Sequence, residues 1–140
     1  MLLLGIETSC DETAAAVVEQ TAADFAVRAS VVASQAAIHA KYGGVVPEVA
    51  AREHVRKIIP VIAAALARAH TTPAEIDRIA VTAGPGLITA LLVGVQTART
   101  LAYAWGKPLV PINQLRAHVY ASWLPKAIGG RRSVIGNRSR

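Results

Sequence analysis

The sequence predicts an α/β fold: a mixed sheet with helices packed on it, its elements in the order βββαβαβα. Three observations carry this. Three extended runs follow one another without a helical pattern between them, Leu2 to Ile6, Ala14 to Val18 and Phe25 to Ser34. From residue 47 onward, short apolar runs alternate with long segments of helical period, the pattern of strands joined by crossover helices. The hydrophobic fraction of 53% comes mainly from Ala, Val, Leu and Ile, with only 4% aromatic residues. β-Branched strands and Ala-rich helices produce that mix. At 140 residues the chain makes at most one domain, large enough to bury a core.

The first two runs read as a hairpin whose connection lies within Gly5-Ile6-Glu7-Thr8-Ser9-Cys10-Asp11-Glu12-Thr13. A turn that only reverses direction calls for Gly, Asn, Asp or Pro. This one carries hydroxyls, a thiol and carboxylates, which marks a loop that touches a ligand. After the third strand, Gln35 to Tyr42 reads as an irregular linker containing His39 and Lys41. Pro47 suits a first helical turn, where the missing N–H is not needed. A helix is expected from there to about Ala69, with Val55, Ile58, Ile59, Ile62 and Leu66 as its apolar stripe. Pro60 should kink it or leave one carbonyl unpaired.

Thr72-Pro73-Ala74-Glu75 has the capping-box pattern and opens a short turn before a strand over Arg78 to Ala83. Gly84-Pro85-Gly86 then leads into a helix from about Leu87 to Trp105, ended by Gly106 and blocked by Pro108. Leu109 to Ile112 reads as a short buried strand, and Asn113 as the cap of a last helix running to about Leu124. The strands on either side of the 87–105 helix should be parallel, joined by a right-handed crossover.

The net charge of +6 is misleading. Residues 1–125 hold ten Lys and Arg against all nine acidic residues, and the other five basic residues fall in 126–140. The positive charge therefore belongs to a Gly-, Arg- and Ser-bearing tail, expected to be unstructured, rather than to a folded nucleic-acid-binding face. A single cysteine excludes an internal disulfide framework and fits a reducing cytoplasm. The N-terminus lacks the basic start of a signal peptide, and no apolar run reaches the ~18 residues of a membrane span.

Four motifs stand out together: GIETSCDET at 5–13, YGGVVPE at 42–48 followed by AREHV, TAGPGL at 82–87 followed by ALLVG at 90–94, and NQLRAH at 113–118. In this order and spacing they closely resemble the first part of the tRNA N6-adenosine threonylcarbamoyltransferases, over residues 1–124. The resemblance implies an actin-like ATPase/Hsp70 fold of two ribonuclease-H-like lobes, with residues 1–124 forming the first lobe and 125–140 a basic tail. It implies transfer of a threonylcarbamoyl group from its adenylate to N6 of adenosine 37 in tRNAs that read ANN codons. It also implies one divalent metal, iron or zinc. The implied partners are tRNA, a non-catalytic paralogue and a small ATPase.

By the same resemblance, Asp11 and Glu12 act toward phosphate and metal, while Thr8, Ser9, Cys10 and Thr13 contact the substrate. The family's two metal-binding histidines fall on Gln114 and His118, so one is replaced. Amide oxygen is a poor ligand for a transition metal, and Arg116 and Ala117 replace an intervening Glu-Gly. Family proteins are more than twice as long, so transfer is expected to be incomplete in this chain alone. The alternative is a non-catalytic scaffold subunit of the same tRNA-modifying complex. Association is expected through the helices at 48–69 and 87–105. No His or Lys lies near enough in sequence to lower the Cys10 pKa, which argues against a catalytic thiolate. The turn at 84–86 reads equally as an anion site at a helix start or as a tight turn. His39, Lys41, Arg52 and His54 read as a ligand- or tRNA-facing edge or as solvated surface. His70 closes a helix, where positive charge is favourable.

Overall fold

Alternation along the strands builds the sheet. In β1 (Leu2–Glu7) and β2 (Glu12–Gln20), Leu4, Ile6, Ala15 and Val17 point to one face and are buried. The two strands are antiparallel, with Ile6 opposite Ala15 and Leu4 opposite Val17. The computed structural model describes residues 1–22, 24–122 and 133–134. β3 (Phe25–Ser34) continues the antiparallel ladder beside β2, with a register slip between Val17 and Val18. β4 (Arg78–Gly84) joins the other side of β1 in parallel, and β5 (Leu109–Asn113) joins β4 in parallel. Within the described residues the order is β5-β4-β1-β2-β3-β6, where β6 (Ser133–Val134) pairs with β3. Pro111 lies in β5, whose free side has no ladder bond to lose.

Two long helices cover the face that carries Leu4, Ile6, Ala15, Val17, Val31, Ile79 and Val81. α2 (Pro47–Arg68) packs over β2 and β3, α3 (Ile88–Trp105) over β4 and β1, and the two helices touch each other. α3 meets the sheet through Ala90, Gly94, Ala98 and Ala102, small residues that let the backbones approach. It ends at Gly106, whose φ of 64° is the left-handed conformation a C-terminal cap requires. α4 (Gln114–Ala121) lies on the opposite face, beside β4 and β5. The Asn113 side chain accepts a bond from the Arg116 amide at 3.1 Å, closing its first turn. The predicted capping box is present, with Thr72 N and Oγ1 each 2.7 Å from the Glu75 carboxylate.

Two expectations are revised. Gln35 to Tyr42 is ordered as α1 (Ala36–His39) and a 3-10 turn (Ala40–Tyr42), and His39 is buried. The stripe that α2 buries is Ala50, His54, Ile58, Val61, Ile62, Ala65 and Leu66, so Ile58, Ile62 and Leu66 lie where expected while Val55 and Ile59 face outward. α2 runs unbroken through Pro60, as expected of a helix that keeps its period past the proline. The carbonyl that proline leaves without a partner is that of Arg56, on the exposed side, where water can bond it. Of the tail, only the backbone of 133–134 belongs to the described residues, and the reading of 125–140 as unstructured otherwise lies outside them. The same holds for the end of the last helix at 123–124. Among the described residues no helix is long and apolar enough to cross a membrane.

Candidate functional site

A cleft of about 630 Å³ opens on the sheet face away from α2 and α3. Its floor is made of small side chains, Gly5, Ala14, Ala16 and Ala80. One wall is the β1–β2 connection, with Glu7, Ser9, Cys10, Asp11 and Glu12, and the other is α4, with Gln114, Ala117 and His118. The structure thus brings Ser9, Cys10, Asp11 and Glu12 to the same cleft as Gln114 and His118. Glu7 joins them, its carboxylate accepting from the Ser9 amide and the Thr82 hydroxyl.

Thr8 and Thr13, expected to contact substrate, do not line the cleft. Strand parity sends them inward: Thr8 follows Leu4 and Ile6, and Thr13 precedes Ala15 and Val17. Both are fully buried. The Thr8 hydroxyl donates to the Ala90 carbonyl at 2.8 Å, anchoring the connection to the first turn of α3. The Thr13 hydroxyl is 2.8 Å from Nδ1 of His54.

His54 and His39 are likewise interior, not part of a tRNA-facing edge. His54 Nε2 is 3.1 Å from the Cys10 carbonyl, which can only accept, so Nε2 carries the proton. Nδ1 is then the acceptor for Thr13 and, at 3.5 Å, for the Gln35 amide. His39 Nε2 bonds the Gln35 side-chain oxygen at 3.0 Å. Burial lowers the His54 pKa, with His39 adding to the shift, against the opposing pull of the Cys10 carbonyl, Glu7 and Asp11. The imidazole is held neutral. Lys41 and Arg52 are exposed, the first over the Tyr42 ring at 4.9 Å and the second paired with Glu48. His70 ends α2's exit with φ 50° and is exposed.

The glycine turn before α3 packs on the connection, and its Leu87 amide is turned to the protein rather than to the cleft. The Leu87 amide donates to the Ser9 carbonyl at 2.8 Å. A Cβ on Gly86 would lie 2.7 Å from that oxygen, so only glycine lets the two segments meet. The Cys10 thiol is exposed. Its pKa is raised by partial burial and by Asp11 and Glu7, which agrees with a thiol rather than a thiolate.

The metal implied by resemblance is not matched by the donors present. Among the described residues no three His, Cys, Asp or Glu side chains are placed to hold an ion, and α4 offers one imidazole beside an amide. The described lining of the cleft carries three carboxylates and no Lys or Arg. A phosphate ester entering it meets like charge and needs a cation supplied from elsewhere.

Comparison with known proteins places this geometry. Residues 26–133 match the family model for tRNA N6-adenosine threonylcarbamoyltransferase. The chain is 55% identical over 124 residues to the protein of that name from Thermomicrobium roseum, covering 89% of the chain and 33% of the relative. It is 57% identical over 124 residues to that of Sorangium cellulosum, covering 89% and 34%. The chain therefore spans about a third of the length of the curated relatives it matches. Among solved structures, a Pseudomonas aeruginosa protein with similarity to the peptidase YEAZ aligns with TM-score 0.64 at 20% identity, over 87% of this chain and 47% of that one. The Thermus thermophilus RuvC structure aligns with TM-score 0.55 at 16% identity, over 87% and 72%. These two establish the fold, an actin-like, ribonuclease-H-like lobe. With the family model matched over residues 26–133 and relatives of that name 55–57% identical over 124 residues, the chain belongs to the tRNA N6-adenosine threonylcarbamoyltransferase family.

Proposed function

We propose that this chain supplies the first lobe of a tRNA threonylcarbamoyltransferase and forms one wall of its nucleotide cleft. The observation that carries the reading is the convergence of Ser9 to Glu12 with Gln114 and His118 on one cleft, in a chain of this family. The reaction moves a threonylcarbamoyl group from its adenylate to N6 of adenosine 37 in tRNAs reading ANN codons. Such a transfer needs the adenylate held and the base placed in line. Asp11 and Glu12 face the phosphate side of the adenylate, and Ser9 and Cys10 lie along its approach. Because this wall is acidic, the positive charge that holds the phosphate comes from a second lobe or arrives with the ligand. No step is assigned to iron or zinc, since the donor set does not fit one.

A specific observation favours a second reading, that of a non-catalytic scaffold subunit. Gln114 stands where the family motif has histidine, and the outer faces of α2 and α3 leave Val55, Ile59, Ile88 and Leu92 exposed. These faces suit association with a second copy, a non-catalytic paralogue or a small ATPase in the cytoplasm.

The deciding experiment follows threonylcarbamoyl transfer from the adenylate to tRNA, using the chain alone and with a supplied second lobe and partners. The first reading expects no modification by the chain alone, modification by the completed assembly, and its loss in Asp11→Ala and Glu12→Ala. Modification unaffected by both substitutions would leave the scaffold reading.

A further inference from the structure

Three consecutive backbone carbonyls of the β1–β2 connection are each tied to a donor from a different part of the fold. Ser9 O accepts from the Leu87 amide at 2.8 Å, Cys10 O from His54 Nε2 at 3.1 Å, and Asp11 O from the Gln35 amide at 2.9 Å. The carbonyls are turned into the protein, and the side chains of residues 10 to 12 are left toward the cleft. Two of the three donors are backbone amides, present whatever the side chain. The donor to Cys10 is a side chain, and its geometry depends on one tautomer.

We infer that His54 is a positioning residue, whose Nε2–H holds the Cys10–Asp11 peptide so that the Cys10 and Asp11 side chains face the cleft. Thr13 and Gln35 fix the tautomer by offering donors to Nδ1. His54 itself has no exposed surface and touches no ligand, so it acts only through the turn. The role rests on the proposed function in one respect alone, the assignment of that cleft as the adenylate site.

Cys10 is the single cysteine of the chain, which makes its alkylation by iodoacetamide a direct reading of the turn. His54→Leu removes the donor but fills the space. Its Cys10 rate is expected to rise about fivefold or more, the population shift that follows loss of one net hydrogen bond. His54→Gln, whose amide can donate to Cys10 O and accept from Thr13, restores the rate to within about twofold of the parent. Ile58→Ala, buried one turn further along α2, is a control that lowers stability without touching the turn and leaves the rate unchanged. Equal rates in His54→Leu and the parent overturn the assignment, as does an equal rise in Ile58→Ala. If His54→Leu does not fold, the unaltered chain decides. Imidazole nitrogen NMR must show Nε2 protonated and Nδ1 bare, and the reverse tautomer overturns the assignment. Neither readout requires transfer or tRNA. A chain that alkylates as expected but fails to bind adenylate in the completed assembly overturns the proposed function and leaves this positioning role standing.

Discussion

Gly94 of α3 and Thr8 at the end of β1 are packed so closely that a Cβ on residue 94 would stand 2.3 Å from the Thr8 hydroxyl oxygen. That hydroxyl is itself committed to the Ala90 carbonyl one turn earlier. The helix and the first strand are therefore keyed to each other at one point.

Gly94→Ala is expected to destabilise the fold. Overpacking a core costs about 1–3 kcal/mol, and the gain of about 1 kcal/mol in helix propensity offsets only part of it. Urea unfolding should show a lower midpoint with an unchanged slope. Adding Thr8→Ala in the same chain opens the space, so the two changes together should cost less than their sum. Simple additivity would show that the contact is not what constrains residue 94.

Gly86→Ala meets a less forgiving neighbour, since the nearest atom is the Ser9 backbone oxygen at 2.7 Å. A side chain can rotate away, but here the connection itself must move and the Leu87–Ser9 bond opens. Weaker adenylate binding, by about tenfold for a bond of this kind lost with its surroundings, is expected in the completed assembly. Calorimetric titration measures it, and parent-like affinity would place the ligand away from Ser9.

Most of the fold was legible because period two and period three-to-four fall on different residues. Leu4, Ile6, Ala15 and Val17 alternate, Gly106 and Asn113 sit where a helix must stop and start, and the family motifs lie in order. The inward turn of Thr8 and Thr13 was also available, since each shares strand parity with a buried apolar pair. Glu7 lay in the same alternation, opposite in parity to Ile6 and therefore on the cleft side. His54 was harder. It lies four residues before Ile58, on the buried stripe of α2, but its partners Cys10 and Thr13 are more than forty residues away. A histidine among charged neighbours reads as surface unless those contacts are known. Val55 and Ile59 misled in the opposite sense, because apolar character alone does not say which face of a helix meets the sheet.

Stability should depend on pH through His54. In the unfolded chain an ordinary histidine takes up a proton near pH ~6.5, whereas burial keeps the folded imidazole neutral to lower pH. Between those two points the unfolded state binds more protons, so stability rises with pH there. The contribution is complete above pH ~6.5 and declines as pH falls from there toward the lowered folded value. Denaturation midpoints of the parent and His54→Gln, followed from about pH 8 to about pH 5, isolate it. The difference between the two should narrow on acidification, and a constant difference would assign the pH dependence to other groups.

Gln114→His tests the replaced ligand. His at 114 and 118 would share one face of α4, four residues apart, and zinc or cobalt affinity should rise about tenfold or more over the parent, since imidazole replaces an amide. Cobalt absorbance on titration reads this without any assay of transfer. No gain would mean that α4 cannot bring two imidazoles to one ion.

The three bonds that fix the Ser9–Asp11 carbonyls come from Gln35, His54 and Leu87, donors drawn from three separate parts of the chain. A nascent or partly collapsed polypeptide that has made only the β1–β2 hairpin possesses the sequence of the cleft wall without its shape. The connection becomes a cleft wall only when α2 and α3 have both docked, contacts that carry a large loop-closure cost and form late. The shape of the cleft is thereby tied to completion of folding, and a chain caught halfway presents no half-formed pocket to its surroundings.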